Sequence, residues 1–373
     1  MASDVVVVGA GIVGCGVAYE LARRGASVQL VDDRPIGLGA TQASAGILAP
    51  YIEAREGSAL LPLAVRSLEL YDEFVSAVCS DSGASVTYCR SGTLDVAFDD
   101  DELQTLRETA RYLAEHNVRA SLVDAAAVRG EEAHVADGAA GALIVDAHGF
   151  VAALQLTRAL ADAAARRRTT ILEPARVRRI RADGDRAVVE TDHASFSAAA
   201  VVLAAGSWSS DIAVDGVEWR PPVRPVRGQL ISLGWRGSPL RRVTWSRRCY
   251  LVPWPDGTLL VGATMEEAGF DERTTAAGVR DLLGAACDVV PQAWGAGFNG
   301  ARAGLRPATP DGLPILGRSS VMPQLIYATG HFRNGVLLAP LTARLVADMV
   351  DMVPGDRIDP MLAPLRPERF GDL

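Results

Sequence analysis

The stretch that decides the fold is Asp4-Val5-Val6-Val7-Val8-Gly9-Ala10-Gly11-Ile12-Val13-Gly14, near the start of a 373-residue chain. The valine run predicts a buried strand, and the pattern G-x-G-x-x-G predicts a tight turn into a helix. The helical pattern reaches Leu21 and Ala22 and stops at Gly25. A second strand, residues 27–31, then ends in Asp32 and Asp33. The order strand, helix, strand predicts the βαβ unit of a parallel sheet.

Each glycine of this turn has a distinct predicted role. Gly9 allows the sharp turn, Gly11 lets a pyrophosphate approach the backbone, and Gly14 permits close packing of helix on strand. The amides at the helix start would then hold the phosphates. Asp32 would accept hydrogen bonds from an adenosine ribose, and its charge disfavours a 2′-phosphate, so NADP fits poorly.

The sequence contains a second match to the same pattern, Gly295-Ala296-Gly297-Phe298-Asn299-Gly300. It lacks a β-branched strand in front, and Gly304 and Pro307 oppose a helix behind it. We therefore expect a loop there, and we place the dinucleotide site at the first match.

The remaining segments predict two interleaved domains. Residues 201–204 and 325–328 are short apolar strands that would extend the first sheet, whereas residues 86–98 and 219–298 carry the turn signals of an antiparallel sheet. We predict an α/β fold, with a Rossmann-like nucleotide-binding domain and a discontinuous antiparallel-sheet substrate domain. The predicted ranges are 1–85, 146–215 and 300–373 for the first domain, and 86–145 and 216–299 for the second.

Composition narrows the classes of partner. The net charge is −8, so attraction to nucleic acid is not expected, and we interpret the arginine cluster between residues 166 and 181 as a solvated face. No apolar run approaches the roughly 18 residues of a membrane helix, and Gly9 leaves no room for a secretory signal before it. We therefore expect a cytoplasmic protein with no membrane partner.

Some chemistries are excluded or not indicated. The chain contains no lysine, which excludes Schiff-base catalysis with pyridoxal phosphate. The five cysteines form no C-x-x-C pair and the five histidines stand far apart, so neither a metal site nor a disulfide framework is indicated.

The glycine turn alone does not separate FAD from NAD. The next segment, Gly39-Ala40-Thr41-Gln42-Ala43-Ser44-Ala45-Gly46-Ile47, favours FAD because small residues and hydroxyls suit a chain lying against a long, flat cofactor. An ordinary loop of the same composition is the alternative.

Further motifs downstream resemble the glycine oxidase branch of the D-amino-acid oxidase family, over nearly the whole chain. They are Gly330-His331-Phe332-Arg333-Asn334-Gly335, Gly262-Ala263-Thr264-Met265-Glu266 followed by Gly269-Phe270-Asp271, Ala303-Gly304-Leu305-Arg306-Pro307, and Pro310-Asp311-Gly312-Leu313-Pro314. Each is weak alone, but their order along the chain makes the resemblance strong.

The resemblance implies a fold of the D-amino-acid oxidase type, in which the Rossmann-like domain is an FAD-binding domain. It also implies FAD as cofactor and oxidation of glycine, sarcosine or another small amine. A hydride would pass from Cα to flavin N5, the imine would hydrolyse to an oxo acid, and O2 would give H2O2. The family is associated with thiamine biosynthesis, through imine supplied to thiazole synthesis. The implied substrate ligands are Tyr250, Arg306 and Arg333. Together with the glycine turn, the expected cofactor contacts are Gly9, Gly11, Ile12, Val13, Gly14, Asp32, Asp33, Ala40, Thr41, Ala45, Gly46, Ile47, Val177, Gly206, Gly330, His331, Phe332, Arg333, Asn334, Gly335, Val336 and Leu337.

Alternatives remain open for the individual side chains. Arg306 suits bidentate binding of a carboxylate, with a structural ion pair as the alternative, and Tyr250 would add a hydrogen bond unless it only packs in the core. His331 is either a base or a residue packed against the ring, and no catalytic residue is assigned with certainty. Trp254 stands where the family has arginine, which predicts an altered pocket rim and a larger or more apolar substrate.

Rival functions also remain. One is a flavin dehydrogenase that passes electrons to a partner or quinone, and another is a dinucleotide-binding sensor without turnover. The expected partners are a small amino acid or amine and O2, and homo-oligomerisation stays open.

Overall fold

A computed structural model describes residues 3–53, 58–218, 220–352 and 359–373, so Trp219, the first residue of the predicted antiparallel segment, lies outside it. The strands are β1 Ser3–Val8, β2 Val28–Val31, β3 Ile47–Leu48, β4 Tyr88–Cys89, β5 Thr93–Ala97, β6 Ala120–Asp124, β7 Gly141–Val145, β8 Gly149–Val151, β9 Thr170–Leu172, β10 Val177–Asp183, β11 Arg186–Thr191, β12 Ser195–Leu203, β13 Ala213–Val214, β14 Arg224–Gly234, β15 Val243–Trp245, β16 Tyr250–Pro253, β17 Thr258–Gly262, β18 Gly297–Ala308, β19 Ile315–Arg318 and β20 Leu325–Thr329.

The α-helices are α1 Ile12–Arg23, α2 Pro50–Glu53, α3 Leu60–Glu69, α4 Tyr71–Ser82, α5 Asp100–Glu115, α6 Ala125–Glu131, α7 Ala153–Arg166, α8 Ala276–Val289 and α9 Gly335–Asp351. Short 3-10 helices cover Ala40–Ala43, Gly206–Asp211, Pro291–Gly295, Pro360–Leu365 and Pro367–Phe370. Among the described residues, no helix is both long and apolar enough to cross a bilayer.

A nine-stranded sheet contains the predicted βαβ unit, β1, α1 and β2. Its centre is parallel: β1 pairs with β2 and β12, and β12 pairs with β20. Val5 and Val7 pack on one side, among residues of α1, α7 and α9, whereas Val6 and Val8 pack on the other. Because both faces are covered, the strand is a continuous valine run rather than an alternating pattern. The two downstream strands extend this sheet, as predicted.

Helix α9 contains Pro340, and a side chain from helix α4 replaces the hydrogen bond that this proline removes. Proline has no N–H, so the carbonyl of Val336, one turn earlier, loses its helical partner. The Tyr71 hydroxyl donates to that carbonyl at 2.5 Å and is itself fully buried. This bond ties α4 to the first turn of α9, at the edge of the cleft described below.

The eight-stranded sheet has the order β18-β14-β17-β16-β15-β5-β7-β6. Its pairs are antiparallel except β15 with β5, which run parallel, so the prediction of an antiparallel sheet holds except for this pair. Strand β18 pairs with β14 from Gly297 to Ala308, so the loop expected at the second glycine pattern was wrong. Pro307 fits because it lies on an edge strand opposite Pro225. The predicted domain boundary between residues 299 and 300 falls inside this strand.

The two faces of this sheet pack differently. One face packs against α8, and the other packs against Ala45 and Phe150 and carries Tyr250. A three-stranded sheet, β3-β8-β4, lies at the same junction and combines strands from ranges predicted for both domains. The face of the eight-stranded sheet that carries Tyr250 therefore packs against the segment that follows the glycine turn and β2.

Members of the arginine cluster at residues 166–181 form exposed ion pairs. Arg178 pairs with Asp192 at 2.7 Å and Arg179 with Asp215 at 2.6 Å. Such pairs in solvent contribute little to stability. Their neutralised charge supports the interpretation of this region as a solvated face.

Candidate active site

A single cleft of about 450 Å³ runs from the turn between β1 and α1 to the first turn of α9. Its opposite wall is formed by residues of β16, β17 and β18 and by the segment after β17. The cleft therefore brings together residues that lie at the two ends and in the middle of the chain.

At two glycines of the turn, Gly9 and Gly14, the backbone is packed too closely for a side chain. Gly9 has φ of 109°, and a Cβ there would lie 2.4 Å from the carbonyl oxygen of Ala204. A Cβ on Gly14 would lie 1.8 Å from the carbonyl oxygen of Gly9. Gly11 precedes α1 without a side-chain cap. The turn thus presents the positive end of a helix directly to the cleft, where an anion binds favourably.

Asp32 is held by two backbone amides. Its Oδ2 accepts from Ala10 at 2.6 Å and its Oδ1 accepts from Arg34 at 2.9 Å. Burial raises the pKa of Asp32, and these two hydrogen bonds oppose the rise. Each carboxylate oxygen has a second lone pair, so the group can also accept from ribose hydroxyls. Asp33 is more exposed, with 41% of its side chain accessible.

The segment after β2 lies along the cleft through close backbone contacts. The Thr41 hydroxyl accepts from the amide of Ile12 at 3.2 Å, which joins the 3-10 helix Ala40–Ala43 to the start of α1. Gly46 has φ of 70°, and a Cβ there would lie 1.7 Å from the carbonyl oxygen of Val151. Glycine is therefore required at position 46 by backbone packing alone.

The far end of the cleft is formed by the turn between β20 and α9. Gly330 has φ of 73°, and Phe332 has φ of 46°, an uncommon value for a residue with a side chain. The amide of Phe332 donates to the carbonyl of Pro307 at 2.9 Å, which ties this turn to β18. The turn presents the first amides of α9, including those of Gly335 and Val336, to the cleft.

His331 is only 3% exposed, and its Nε2 lies 3.1 Å from the hydroxyl of Thr342 in α9. Burial lowers its pKa to about 4, so the imidazole is neutral at physiological pH. This geometry favours the packing alternative over a base that cycles its proton with solvent.

Tyr250 lies on the face of the eight-stranded sheet that lines the cleft. Its ring lies over Gly262, where a Cβ would come within 2.4 Å of the phenol oxygen. The ring of Trp245 contacts it from the neighbouring strand, with centroids 5.1 Å apart. Tyr250 therefore both packs in the wall and lines the cleft.

Arg306 reaches the same wall from β18. Its Nη1 donates to the carbonyl of Thr264 at 3.0 Å. A Cβ on Gly228 of the adjacent strand would lie 2.1 Å from that nitrogen, so the guanidinium lies directly against the Gly228 backbone. Arg306 and Arg333 both line the cleft, at the end opposite Asp32.

The predicted site residues converge on this cleft, with one exception. All of the predicted cofactor contacts and substrate ligands line it except Gly14, which packs behind the turn. Trp254 does not line the cleft and packs against the core that contains Phe150 and Val252, so the altered rim predicted from it was wrong.

Several lining residues carried no sequence signal that we used. Trp208 lines the dinucleotide end with the Arg34 guanidinium 4.2 Å above its ring, and Glu272 binds the same guanidinium at 2.9 Å. Thr264 and Met265 lie in one of the quoted motifs, but the motif gave them no role. Among the residues that the structure describes, no group of three or more His, Cys, Asp or Glu could hold a metal ion.

Comparisons with known proteins agree with this architecture. The family model described as FAD dependent oxidoreductase matches residues 4–349. The chain is 34% identical to glycine oxidase of Geobacillus kaustophilus, covering 93% of both chains. The crystal structure of glycine oxidase from that organism superposes with a TM-score of 0.93 at 32% identity, covering 99% of both chains. A bifunctional protein ThiO/ThiG of a Nostoc species is 33% identical over 94% of this chain, which spans only 53% of that relative.

Proposed function

This chain belongs to the family of FAD-dependent oxidoreductases, and on that premise we propose that it oxidises glycine or another small amino acid or amine. FAD is its cofactor, and oxidation of amino acids is the reaction of the glycine oxidases that it resembles. One observation carries the choice of substrate class: Arg306, Arg333 and Tyr250 line the same cleft as the glycine cradle. Glycine oxidases of similar sequence support a small substrate.

The residues of the cleft fit a flavin dinucleotide. Added Cβ atoms at Gly9 or Gly14 would overlap backbone atoms, so these glycines keep the turn close enough for helix amides to bind a pyrophosphate. Asp32 suits an adenosine ribose without a 2′-phosphate. We propose that the predicted contacts from Ala40 to Ile47 and from Gly330 to Leu337 hold the rest of the cofactor.

We propose that the protein's own contribution to the reaction is positioning. When bound, FAD supplies a hydride acceptor and passes the electrons on to O2, with H2O2 as product. Arg306 grips the substrate carboxylate, Tyr250 donates a hydrogen bond to it, and the amine carbon is held at the ring end of the cleft. The amino group needs no protein base once it is neutral, which agrees with a buried, neutral His331.

The first turn of α9 has an electrostatic part in this proposal. The amides of Gly335, Val336 and Leu337 precede any intrahelical acceptor, so they and the helix dipole stabilise negative charge at this end of the cleft. These amides supply the positive potential that a lysine side chain could otherwise supply at this position, and this chain has no lysine.

Aerobic turnover tests the proposal against its rivals. The purified protein is supplied with glycine, sarcosine, proline and a set of D-amino acids, while O2 uptake and H2O2 are measured. An oxidase yields one H2O2 for each O2 consumed. Turnover only with an added quinone or artificial acceptor indicates the dehydrogenase, and failure with every amine and acceptor indicates the sensor.

Other predictions rest on the resemblance and stay proposals. We propose a cytoplasmic location and supply of the imine to thiazole synthesis. The two-domain division is also proposed, with β18 assigned to the substrate domain because it pairs with β14 along its length.

A further inference from the structure

The guanidinium of Arg306 contacts two backbone carbonyls of neighbouring segments. Its Nη1 donates to the carbonyl of Thr264 at 3.0 Å and lies near the carbonyl of Arg227 at 3.4 Å. Gly228 leaves the space in which the group lies. The direction in which Arg306 presents its guanidinium to the cleft therefore depends in part on where the Thr264 peptide lies.

The Thr264 peptide is fixed by its own side chain. The hydroxyl accepts from the amide of Gln229 at 2.9 Å and donates to Oε1 of Glu266 at 2.5 Å. The amide of Thr264 donates to the carbonyl of Gln229 at 3.1 Å. Thr264 is thus held to β14 on one side and to Glu266 on the other.

Glu266 is anchored in turn by β14. Its Oε2 accepts from Arg227 Nη2 at 2.6 Å, and its Oε1 accepts from Gln229 Nε2 at 2.6 Å. Partial burial opposes ionisation, but these bonds outweigh it and lower the pKa of Glu266. Arg227 is 7% exposed and also pairs with Asp271 at 3.1 Å. The carboxylate therefore stays ionised and fixed at neutral pH.

The next residue provides a natural contrast. Glu267 pairs with Arg224, also of β14, but both side chains are more than half exposed. Both carboxylate oxygens of Glu267 accept from Arg224. Glu266 and Glu267 therefore pair with two arginines of β14. Of the two glutamates, Glu266 is the one that accepts a hydrogen bond from Thr264, whose carbonyl accepts from Arg306.

We infer that Thr264 and Glu266 are positioning residues that set the orientation of Arg306 for the substrate carboxylate. The inference rests on the proposed function in one respect, the role of Arg306 as carboxylate ligand. A misoriented guanidinium loses the second of two parallel hydrogen bonds, so affinity for the anion falls more than the rate of the bound substrate.

The first test is Thr264→Val, which removes both hydroxyl bonds at nearly constant volume, beside Thr264→Ser, which keeps them. In the FAD-loaded enzyme, we expect Thr264→Val to raise KM for glycine about tenfold, with kcat within about threefold. Thr264→Ser should stay within about twofold of wild type. Glycolate, the hydroxy analogue of glycine, probes carboxylate binding without turnover of an amine. Its dissociation constant, measured by calorimetry, should rise in parallel with KM.

The second test compares Glu266→Gln with Glu267→Gln. We expect the first to raise KM and the glycolate dissociation constant about fivefold, and the second to change neither by more than about 1.5-fold. Bound FAD per chain and the melting temperature report folding separately. A melting temperature lowered without any change in glycolate affinity would mean that Glu266 is merely structural.

The inference is overturned when Thr264→Val and Glu266→Gln bind glycolate like wild type, when Thr264→Ser fails to restore binding, or when wild type binds no glycolate. Should Thr264→Val not fold, the two glutamate variants decide. Wild type that binds glycolate but oxidises none of the small amino acids and amines tested contradicts the proposed function, while the positioning role still stands or falls by the glycolate affinities.

Discussion

The two ends of the cleft are built from different materials. At the dinucleotide end, which is the part of the cleft beside the glycine turn and Asp32, the proposed binding groups are the backbone amides at the start of α1 and the Asp32 carboxylate. The amides of Ala10 and Arg34 hold that carboxylate. At the ring end, Tyr250, Arg306 and Arg333 come from separate strands and a turn, and their orientation depends on other strands. The first end is a local property of a short sequence, whereas the second exists only once the eight-stranded sheet has formed.

The largest effect is expected at the dinucleotide end, from Gly14→Ala. The added Cβ would lie 1.8 Å from the Gly9 carbonyl oxygen, so α1 must move away from β1, at a cost on the order of 3 kcal/mol or more. We expect the protein to purify without FAD, as measured by absorbance near the visible flavin bands. Gly16→Ala in the same helix is the matched control, because its Cβ would meet nothing closer than 3.6 Å. Equal FAD content in both variants would refute the packing argument.

The next effect belongs to the ring end, from Arg306→Ala. We expect kcat/KM for a carboxylate substrate to fall about thirtyfold or more, corresponding to about 2 to 5 kcal/mol, mainly through KM. FAD content should stay at the wild-type value. Arg302→Ala is the control, since Arg302 lies on the same strand but does not line the cleft. Unchanged kinetics for Arg306→Ala would remove this residue from the substrate site.

A smaller difference is expected between two adjacent acids at the dinucleotide end. Asp32→Ala removes the acceptor shared by the Ala10 and Arg34 amides, so FAD should bind about thirtyfold more weakly, equivalent to about 2 kcal/mol. Asp33→Ala should weaken FAD by at most about threefold, because its side chain is 41% exposed. Fluorescence titration of the apoprotein with FAD measures both constants. The reverse order would show that Asp33 is the ribose ligand.

The last prediction concerns the stability of the fold rather than binding, and it rests on His331 and pH. Its pKa falls from 6.5 to about 4 in the folded protein, so folding favours the neutral imidazole. That contribution is fully present above pH 6.5 and is lost as the pH falls toward 4. Relative to His331→Gln, wild type should lose on the order of 2 to 3 kcal/mol of unfolding free energy between pH 7 and pH 4, measured with urea. A constant difference across this range would mean that His331 titrates normally.

The same comparison explains how much could be predicted from the sequence. The dinucleotide end was predictable because valine run, glycine spacing and Asp32 all lie in one βαβ unit. The second glycine pattern shows the limit: residues 297–308 became a strand because β14 offers a long pairing edge, which no local signal encodes. Resemblance located Tyr250, Arg306 and Arg333, but it could not reveal that Thr264 and Glu266 hold Arg306, since those contacts cross between strands.

We propose above all that one cleft holds FAD at the glycine turn and the carboxylate of a small amino acid beside Arg306. Anaerobic titration of the purified protein with glycine, followed by visible absorption, tests both halves together. We expect a yellow protein whose flavin band bleaches with glycine or another small amino acid, and bleaches in Arg306→Ala only at a much higher concentration of that amino acid. A colourless protein that takes up no added FAD, or a flavin that every small amino acid leaves oxidised, would contradict it.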